Sequence, residues 1–318
     1  PMVGVPQGNK KINMSQRVLI LGYGSIGRKH ASILSRLVKK KNITILTNQK
    51  VSNFRTVKTL KALNEVNPHY IVICNPTSDH LNKIKFIEKN CRNKFVLVEK
   101  PLFSKPDKIN TKKNKYYVGY SLRFNPIINF LKKKIKSKKI WNVNIFCGSY
   151  LPNWRSNINY RKSASAKKSF GGGVLLDLSH ELDYVQWLFG KIEIEHCKSM
   201  KLSNLNIGTD DFLNLTGKTK NVPSIQITLN YFTRKPTRQI FIDGKNVSVQ
   251  ADLIKKNVVY YDGNKKKIYN FKNSDRNSEY KKQHLAILKN QYTDRLCTFN
   301  EGKQLLYLIN AIRLKSQK

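Results

Sequence analysis

Apolar residues along the first 120 positions follow two patterns that alternate with each other. Short, nearly continuous apolar runs are typical of strands buried on both faces, whereas apolar residues three and four positions apart are typical of amphipathic helices. This alternation indicates βαβ units and a parallel sheet with helices on both faces. The predicted strands are 17–21, 43–46, 70–74, 95–98 and 116–120, and the predicted helical stretches are 26–37, 60–66 and 81–90.

The pattern changes after residue 120. Three consecutive glycines, Gly171–Gly173, follow a polar loop at 151–170 and open a helix that is predicted to continue through Leu188. The strands predicted beyond it indicate an open, mostly antiparallel sheet. In this part of the chain the predicted strands are 140–150, 212–216, 224–232, 239–243, 246–250 and 258–261, and the other predicted helices are 127–135, 277–290 and 300–315.

The bulk composition excludes several classes of protein. A chain of 318 residues is long enough for about two domains, and 40% hydrophobic residues are ordinary for a globular protein. No run of about 18 apolar residues occurs, so neither a membrane span nor a membrane partner is expected. The five cysteines are scattered and odd in number, which argues against a disulfide framework or a zinc ribbon and favours a cytoplasmic location.

The net charge of +41 has two explanations. One is a protein that binds nucleic acid or a membrane surface. The other is a compositional bias, because Lys, Asn and Ile are abundant throughout the chain. The basic residues are spread along the sequence instead of concentrated in one module, so we favour the bias and predict no specific nucleic-acid partner. The positive field would still help to capture an anionic ligand.

A glycine-rich turn follows the first predicted strand. Residues Gly22–Gly27 match the pattern G-x-G-x-x-G and lie between an apolar strand and a helical stretch, which is the context that dinucleotide binding requires. The first glycine permits the tight turn, the second lets the backbone approach a pyrophosphate, and the third lets the helix pack on the strand. The alternative is a turn without a ligand. The predicted cofactor contacts here are Gly22, Gly24, Ser25, Ile26 and Gly27.

The turn completes the fold prediction. We expect an α/β protein with an N-terminal Rossmann domain, a doubly wound parallel sheet, at 15–120. An α+β domain with an open, mostly antiparallel sheet follows at 121–299. Residues 300–318 form a helix that packs back on the Rossmann domain, and residues 1–14 form a flexible tail outside the fold.

The residues after the second strand bear on the choice of cofactor. An acidic residue about 20 positions after the turn usually binds the ribose 2′-hydroxyl of NAD. No Asp or Glu occurs before Glu65, whereas Lys50 and Arg55 could face a 2′-phosphate. We therefore predict NADP or NAD as the cofactor, with NADP favoured. The alternative is that the compositional bias toward basic residues explains why acidic residues are absent here. The predicted contacts are Thr47, Asn48 and Lys50.

Two further motifs follow predicted parallel strands, where open α/β sheets bind ligands. The first is Asn75-Pro76-Thr77 with His80, and the second is Glu99-Lys100-Pro101. A lysine at this edge suits proton transfer. A single lysine in so basic a chain would otherwise be interpreted as a solvated surface residue. The predicted cofactor contacts from the two motifs are Asn75, Pro76, Thr77, His80, Glu99 and Lys100.

Taken together, the motifs resemble the family of glucose-fructose oxidoreductase, inositol dehydrogenase and MocA, with specific matches over about residues 15–190. The resemblance implies Lys100 as the general acid/base at a sugar hydroxyl or ketone, with Asp177 and His180 as partners in the substrate pocket. It rests on Gly22–Gly27 with His30, Asn75–Thr77 with His80, Glu99–Pro101, Gly119-Tyr120 with Arg123–Pro126, and Gly171–Gly173 with Asp177, His180 and Asp183.

The chain departs from the family at this last motif. The family commonly has four residues from the aspartate to the histidine, whereas Asp177 and His180 are three apart. Positions three and four apart share one face of a helix, so a joint role is still expected. Glu181 falls on another face, and no His or Cys cluster accompanies these residues, so no metal site is predicted.

The loop before the three glycines carries aromatic residues and arginines, which suit stacking on a sugar or base and binding of a phosphate or carboxylate. An ordinary surface loop held by a buried Trp154 is the alternative. The segment Tyr150–Arg155 resembles a branch of the family tied to surface-sugar biosynthesis, which implies a sugar or nucleotide-sugar substrate. The predicted substrate contacts are Tyr120, Arg123, Trp154, Arg155, Tyr160, Arg161, Asp177 and His180, with Arg123 also a cofactor contact.

The predicted function is hydride transfer between a nicotinamide and a sugar carbon, with Lys100, His180 and Asp177 as catalytic residues, in a homo-oligomer (a dimer or a tetramer). One alternative is another reaction on the same fold, such as glycoside cleavage through an oxidised intermediate or reduction of a small carbonyl compound. The other is a non-enzymatic protein that binds NADP or associates with nucleic acid, and this protein would bind DNA or RNA with a steep salt dependence.

Overall fold

The computed structural model describes residues 15–155, 159–271 and 276–317. The predicted tail at 1–14 lies outside these residues. Along this part of the chain the strands are β1 Val18–Leu21, β2 Ile43–Leu46, β3 Arg55–Val57, β4 Tyr70–Ile73, β5 Phe95–Val98, β6 Lys115–Val118, β7 Ile140–Gly148, β8 Glu193–Met200, β9 Phe212–Thr219, β10 Val222–Asn230, β11 Thr237–Gly244, β12 Val247–Asp252, β13 Asn257–Asp262, β14 Lys265–Asn270 and β15 Cys297–Thr298.

Helices follow seven of these strands, and several connecting segments contain 3₁₀ turns. The helices are α1 Ser25–Leu34, α2 Leu63–Val66, α3 His80–Asn90, α4 Pro126–Ile135, α5 Val174–Asp177, α6 His180–Phe189, α7 Arg276–Lys289 and α8 Phe299–Lys315. No helix among the described residues combines the length and the apolar composition needed to cross a membrane.

The chain divides into two compact units. Helix α7 belongs to the first unit, because Ala286, Ile287 and Leu288 enter its hydrophobic core. The units therefore divide the chain at other points than the predicted boundaries at 120 and 299. Among the described residues, the first unit contains 15–103, 107–124 and 276–302, and the second contains 104–106, 125–155, 159–271 and 303–317.

The first unit contains a sheet with the order β15-β6-β5-β4-β1-β2-β3, in which β1 to β6 are parallel. Its central strands are apolar and fully buried, as expected for a sheet covered on both faces. From β1 the chain adds strands on one side as far as β3, and then continues on the other side from β4. The order therefore reverses between β1 and β4, and such a switch point is where doubly wound sheets bind ligands.

The second unit contains a sheet with the order β14-β13-β12-β11-β7-β10-β9-β8. Its neighbouring strands pair antiparallel, except for the parallel pair of β7 and β10. Buried and more exposed positions alternate along β9 and β10, which is the pattern of a sheet with one face packed on a core. The predicted combination of a Rossmann sheet and a mostly antiparallel α+β domain is confirmed.

The helix predicted after the three glycines is in fact two helices. Helix α5 ends at Asp177 and α6 begins at His180, so the argument that both side chains lie on one continuous helix was wrong. The Ser179 hydroxyl donates to the carbonyl oxygen of Leu176 at 2.8 Å, and in a continuous helix that oxygen would accept from residue 180. This local hydrogen bond gives the break a physical reason.

Candidate functional site

Gly22 makes the tight turn at the end of β1. Its φ of +94° lies in the region that side chains disfavour, and its amide donates to the carbonyl oxygen of Leu46 at 3.0 Å. A Cβ atom built on Gly22 would lie 3.0 Å from the carbonyl oxygen of Cys74 and 3.2 Å from the amide nitrogen of Asn75. The first glycine of the motif is therefore required by both conformation and space.

The other two glycines of the turn have different surroundings. A Cβ atom on Gly27 would collide with the carbonyl oxygen of Gly22, so this position holds α1 close to the strand. Gly24 is the N-cap of α1, and no described atom lies within 4 Å of a Cβ atom built there. The open space at Gly24, beside the positive end of a ten-residue helix, fits a pyrophosphate.

The other two motifs of the first unit share the edge on which this turn lies. Strands β1, β4 and β5 are neighbours, and their last residues, Leu21, Ile73 and Val98, pair directly across the sheet. Gly22, Asn75 and the segment from Glu99 to Pro101 therefore follow one another along the carboxyl edge, beside the switch point. The structure brings together the glycine turn and the two motifs, as the sequence predicted from strand ends alone.

Lys100 is partly exposed at this edge, whereas the preceding Glu99 is buried. The Glu99 carboxylate accepts from the Lys100 backbone amide at 3.2 Å through Oε2, and its Oε1 lies 2.8 Å from His30 Nε2. A Cβ atom on Gly119 would lie 3.0 Å from Oε1. Glu99 therefore holds the backbone of the lysine, and Gly119 leaves the space for its carboxylate.

His80 was predicted as a cofactor contact, but its ring is buried and bound to backbone. Its Nε2 lies 3.0 Å from the carbonyl oxygen of Asn75, and its Nδ1 lies 3.1 and 3.2 Å from those of Pro101 and Leu102. Burial lowers its pKa, although the facing oxygens and Glu99 oppose that shift. The ring thus ties the Asn75 loop to the Glu99–Pro101 segment, whereas Pro76 and Thr77 stay at least partly exposed.

The segment after β2 keeps its basic side chains exposed. Asn48 and Lys50 are exposed, and Lys58 donates to the carbonyl oxygen of Asn48 at 3.3 Å. Thr47 is buried. The guanidinium of Arg55, the alternative partner for a 2′-phosphate, forms an ion pair with Glu65.

Tyr120 and Arg123 are buried in the first unit. The Arg123 guanidinium donates to Glu301 Oε1 at 2.7 Å, while Glu301 Oε2 accepts from the backbone amide of Thr298 at 2.8 Å. Arg123 therefore has a structural partner at the start of α8. The sequence signal for this partner was the segment Thr298–Glu301, which matches a helix capping box.

In the second unit, the side chain of Asp177 is bound by a residue that the sequence analysis did not identify. The hydroxyl of Tyr231, directly after β10, donates to Asp177 Oδ2 at 2.6 Å. Tyr231 is fully buried, and burial, followed by the charge of Asp177, raises its pKa well above its ordinary value. The only sequence signal was a tyrosine at the end of an apolar strand.

His180 begins α6 and is partly exposed, whereas the side chain of the next residue, Glu181, is bound within the fold. Glu181 is fully buried and forms two hydrogen bonds to Arg238, of 2.6 and 3.0 Å. Its carboxylate is therefore satisfied within the fold. Among the described residues, no group of three or more His, Cys, Asp or Glu side chains is placed to hold a metal ion.

The aromatic loop lies against Tyr231. The indole of Trp154 packs edge-on to the Tyr231 ring, with centroids 5.2 Å apart, and donates to Ser149 Oγ at 2.8 Å. Trp154 is exposed, so the alternative of a buried anchor does not hold. Arg155 and Arg161 are exposed, whereas the Tyr160 hydroxyl accepts from the Asn206 amide at 3.3 Å.

The chain is similar to a known family in sequence and to solved structures in fold. Residues 132–318 match the model of the Gfo/Idh/MocA oxidoreductase family, described as its C-terminal alpha/beta domain. No curated protein matches the chain in sequence. Among solved structures, levoglucosan dehydrogenase in complex with NADH superposes with a TM-score of 0.81 at 15% identity, over 95% of this chain and 97% of the other.

Two nucleotide-sugar dehydrogenases have the same fold. UDP-N-acetylglucosamine 3-dehydrogenase GnnA from Acidithiobacillus ferrooxidans has a TM-score of 0.74 at 15% identity and covers 94% of this chain and 97% of its own. The WlbA dehydrogenase from Bordetella pertussis, in complex with NADH and UDP-GlcNAcA, has a TM-score of 0.72 at 16% identity and covers 95% and 96%. The family model covers more than half of the sequence and agrees with the motifs, so the chain belongs to the Gfo/Idh/MocA oxidoreductase family.

Proposed function

We propose that this protein is a nicotinamide-dependent dehydrogenase that acts on a hydroxyl group of a sugar or nucleotide sugar. The observation that carries the proposal is the alignment of the glycine turn, the Asn75 loop and Lys100 along one edge of the parallel sheet, beside its switch point. Family membership and the named activities of the structural neighbours support the same chemistry.

In the proposed mechanism each group of the first unit has one task. Gly22, Gly24 and the amino end of α1 bind the pyrophosphate. When bound, the nicotinamide supplies a hydride acceptor or donor. Lys100 Nζ takes the proton of the substrate hydroxyl during oxidation and returns it during reduction. Glu99 fixes the position of Lys100 by accepting from its backbone amide.

Asp177 and His180 are proposed for substrate binding and proton transfer on the basis of the family resemblance. The geometry of the second unit supports a rigid Asp177, because Tyr231 donates to its carboxylate and is itself fully buried. His180 would act as an assisting acid/base, and the break between α5 and α6 gives the two side chains separate supports.

The direct test screens sugars and nucleotide sugars for turnover with NADP⁺ and NAD⁺. Lys100→Met should lower turnover by roughly 10²- to 10⁴-fold and leave cofactor binding nearly unchanged. Lys85→Met, an exposed lysine of α3, is the matched control and should keep full activity. Near-normal turnover of Lys100→Met would refute the assignment, and turnover without net consumption of cofactor would favour glycoside cleavage.

We further propose a preference for NADP over NAD. It is supported by the absence of Asp and Glu from the sequence before Glu65 and by the exposed Lys50 and Lys58 near the end of β2. Equilibrium titration should give tighter binding of NADPH than of NADH, and Lys50→Ala should weaken only NADPH binding. Tighter binding of NADH would overturn the preference.

The family resemblance also supports a cytoplasmic homo-oligomer, either a dimer or a tetramer. Light scattering coupled to size-exclusion chromatography measures the mass directly. A mass of two or four chains is expected, whereas the mass of a single chain at micromolar concentration would contradict the proposal.

A further inference from the structure

Four buried titratable side chains of the first unit form one continuous series of hydrogen bonds. His30 Nε2 lies 2.8 Å from Glu99 Oε1, and His30 Nδ1 lies 2.8 Å from His284 Nε2. His284 Nδ1 in turn lies 2.8 Å from the Tyr70 hydroxyl. Both histidines are fully buried, Tyr70 is 1% exposed and Glu99 is 7% exposed. The series joins residues up to 254 positions apart, on α1, α7 and the start of β4.

The partners at the two ends favour one direction for these hydrogen bonds. Burial raises the pKa of the Tyr70 phenol well above its ordinary value, so Tyr70 keeps its proton and can donate to His284 Nδ1. A neutral His284 then carries its proton on Nε2 and donates to His30 Nδ1. His30 in turn carries its proton on Nε2 and donates to Glu99. Burial, and then His30, lower the pKa of His284 far below its ordinary value, which agrees with the neutral form.

The reverse direction requires one more proton. If His284 donated to Tyr70 through Nδ1, its Nε2 would accept from His30, and His30 Nε2 would then need a donor. That donor would be a protonated Glu99, unless the extra proton were on His30 itself, as an imidazolium that donates through both nitrogens. The direction of the hydrogen bonds is therefore coupled to the protonation of the pair of His30 and Glu99, whose carboxylate holds the Lys100 backbone.

Other titratable groups face this series. The Tyr280 ring lies edge-on to His30, with ring centroids 5.4 Å apart, and the Lys29 ammonium lies over the Tyr280 ring, 5.0 Å from its centroid. Burial, and then the charge of Glu99, raise the pKa of the Cys74 thiol, and burial lowers the pKa of His80, so both favour their neutral forms. The carboxylate is therefore stabilised chiefly by its hydrogen bonds from His30 and from the Lys100 amide.

We propose that Tyr70 and His284 are positioning residues: they fix the tautomer of His30 whose Nε2–H donates to Glu99 and holds its carboxylate in place beside Lys100. The consequence for turnover rests on the proposed function, whereas the tautomers themselves do not. Neither residue belongs to a motif of the turn or of the lysine segment.

The first experiment reads the tautomers without any turnover. Long-range ¹H–¹⁵N spectra of the full chain labelled on histidine nitrogens distinguish a proton on Nε2 from one on Nδ1. In the wild type both His30 and His284 should carry the proton on Nε2, and Tyr70→Phe should shift the His284 signals toward a mixture of tautomers. An Nδ1–H form of His30 in the wild type at neutral pH would overturn the proposal.

The second experiment compares two replacements of His284. The amide of His284→Gln can still donate to His30 Nδ1, whereas His284→Leu cannot. The pH at the midpoint of the acid limb of the kcat/KM profile should rise by about one unit in His284→Leu. In His284→Gln this midpoint should return toward the wild-type value. Equal acid limbs in both variants would overturn the role in positioning. If no substrate turns over, the tautomer spectra still decide the proposal, and the failure lies with the proposed function.

Discussion

Gly22 and Gly24 are two positions apart, yet a methyl group at each meets different surroundings. Gly22 has a positive φ and a backbone oxygen 3.0 Å from the added Cβ, whereas Gly24 has a negative φ and open space. Gly22→Ala should therefore destabilise the fold by about 1–2 kcal/mol and weaken dinucleotide binding. Gly24→Ala should leave the free energy of unfolding nearly unchanged and still weaken dinucleotide binding.

Urea denaturation and cofactor titration of the two variants separate these effects. Each variant serves as the control for the other, because both add one methyl group to the same turn. Tight cofactor binding by Gly24→Ala would show that the open space is not the pyrophosphate site. A free energy of unfolding for Gly22→Ala equal to that of the wild type would contradict the strain argument.

The buried pair of Glu181 and Arg238 gives a second prediction at this scale. Burial alone would lower the pKa of Arg238, but the Glu181 carboxylate raises it above its ordinary value, so the guanidinium stays charged. Arg238→Met would leave a carboxylate of 0% exposure unpaired and should cost about 3–5 kcal/mol. The double variant with Glu181→Met should recover most of that loss in urea denaturation. A cost below about 1 kcal/mol for the single variant would contradict this account.

The side chains of the candidate site differ in how well the sequence predicted them. Gly22 and Lys100 lie in short motifs next to strands, so local patterns were sufficient. Tyr231 and His284 were missed because their partners lie 54 and 254 positions away. Such pairs depend on how distant elements pack, and a single sequence carries no periodic signal for that packing.

At the scale of elements, the strands that the sequence analysis missed share one property. The interior strands were predicted from apolar runs or alternation, whereas β3, β15, β8 and β14 are the outermost strands of the two sheets. An edge strand pairs on one side only and needs little apolar character. The run Lys265–Lys267 in β14 even opposes a strand prediction, although charged side chains are typical of protected edges.

The start of α8 gives a prediction for pH dependence. Burial would raise the pKa of Glu301, but Arg123 and the hydrogen bonds from Thr298 lower it below the ordinary 4.5. A lowered pKa means that the stabilisation is complete above pH 4.5 and is lost as the pH falls through the lower folded value. Glu301→Gln keeps the capping geometry but loses the charge.

This variant should therefore lose about 1–2 kcal/mol at pH 7, a value reduced for the 37% exposure of the Glu301 side chain. Urea denaturation at several pH values should show a smaller acid-dependent loss of stability in Glu301→Gln than in the wild type. Parallel pH dependences of the two proteins would exclude the ion pair with Arg123 as a source of acid sensitivity.

At the scale of the whole molecule, the charge is more one-sided on the surface than in the composition. The sequence contains 60 Lys and Arg residues and 19 Asp and Glu residues. At least six of the acids are buried, so few carboxylates remain on the surface beside the lysines. These are Glu99, Glu181, Asp183, Asp211, Asp252 and Glu279.

A surface so dominated by one sign repels itself, and salt screens the repulsion. Raising the ionic strength from about 10 mM to about 150 mM shortens the Debye length from roughly 30 Å to 8 Å. The melting temperature at pH 7 should therefore rise over this range, while binding of the anionic cofactor should weaken because its attraction to the same field is screened. Sodium chloride and potassium chloride should act alike, since screening depends on ionic strength. A melting temperature that falls with salt would show that individual ion pairs, and not the net charge, dominate the electrostatic contribution to stability.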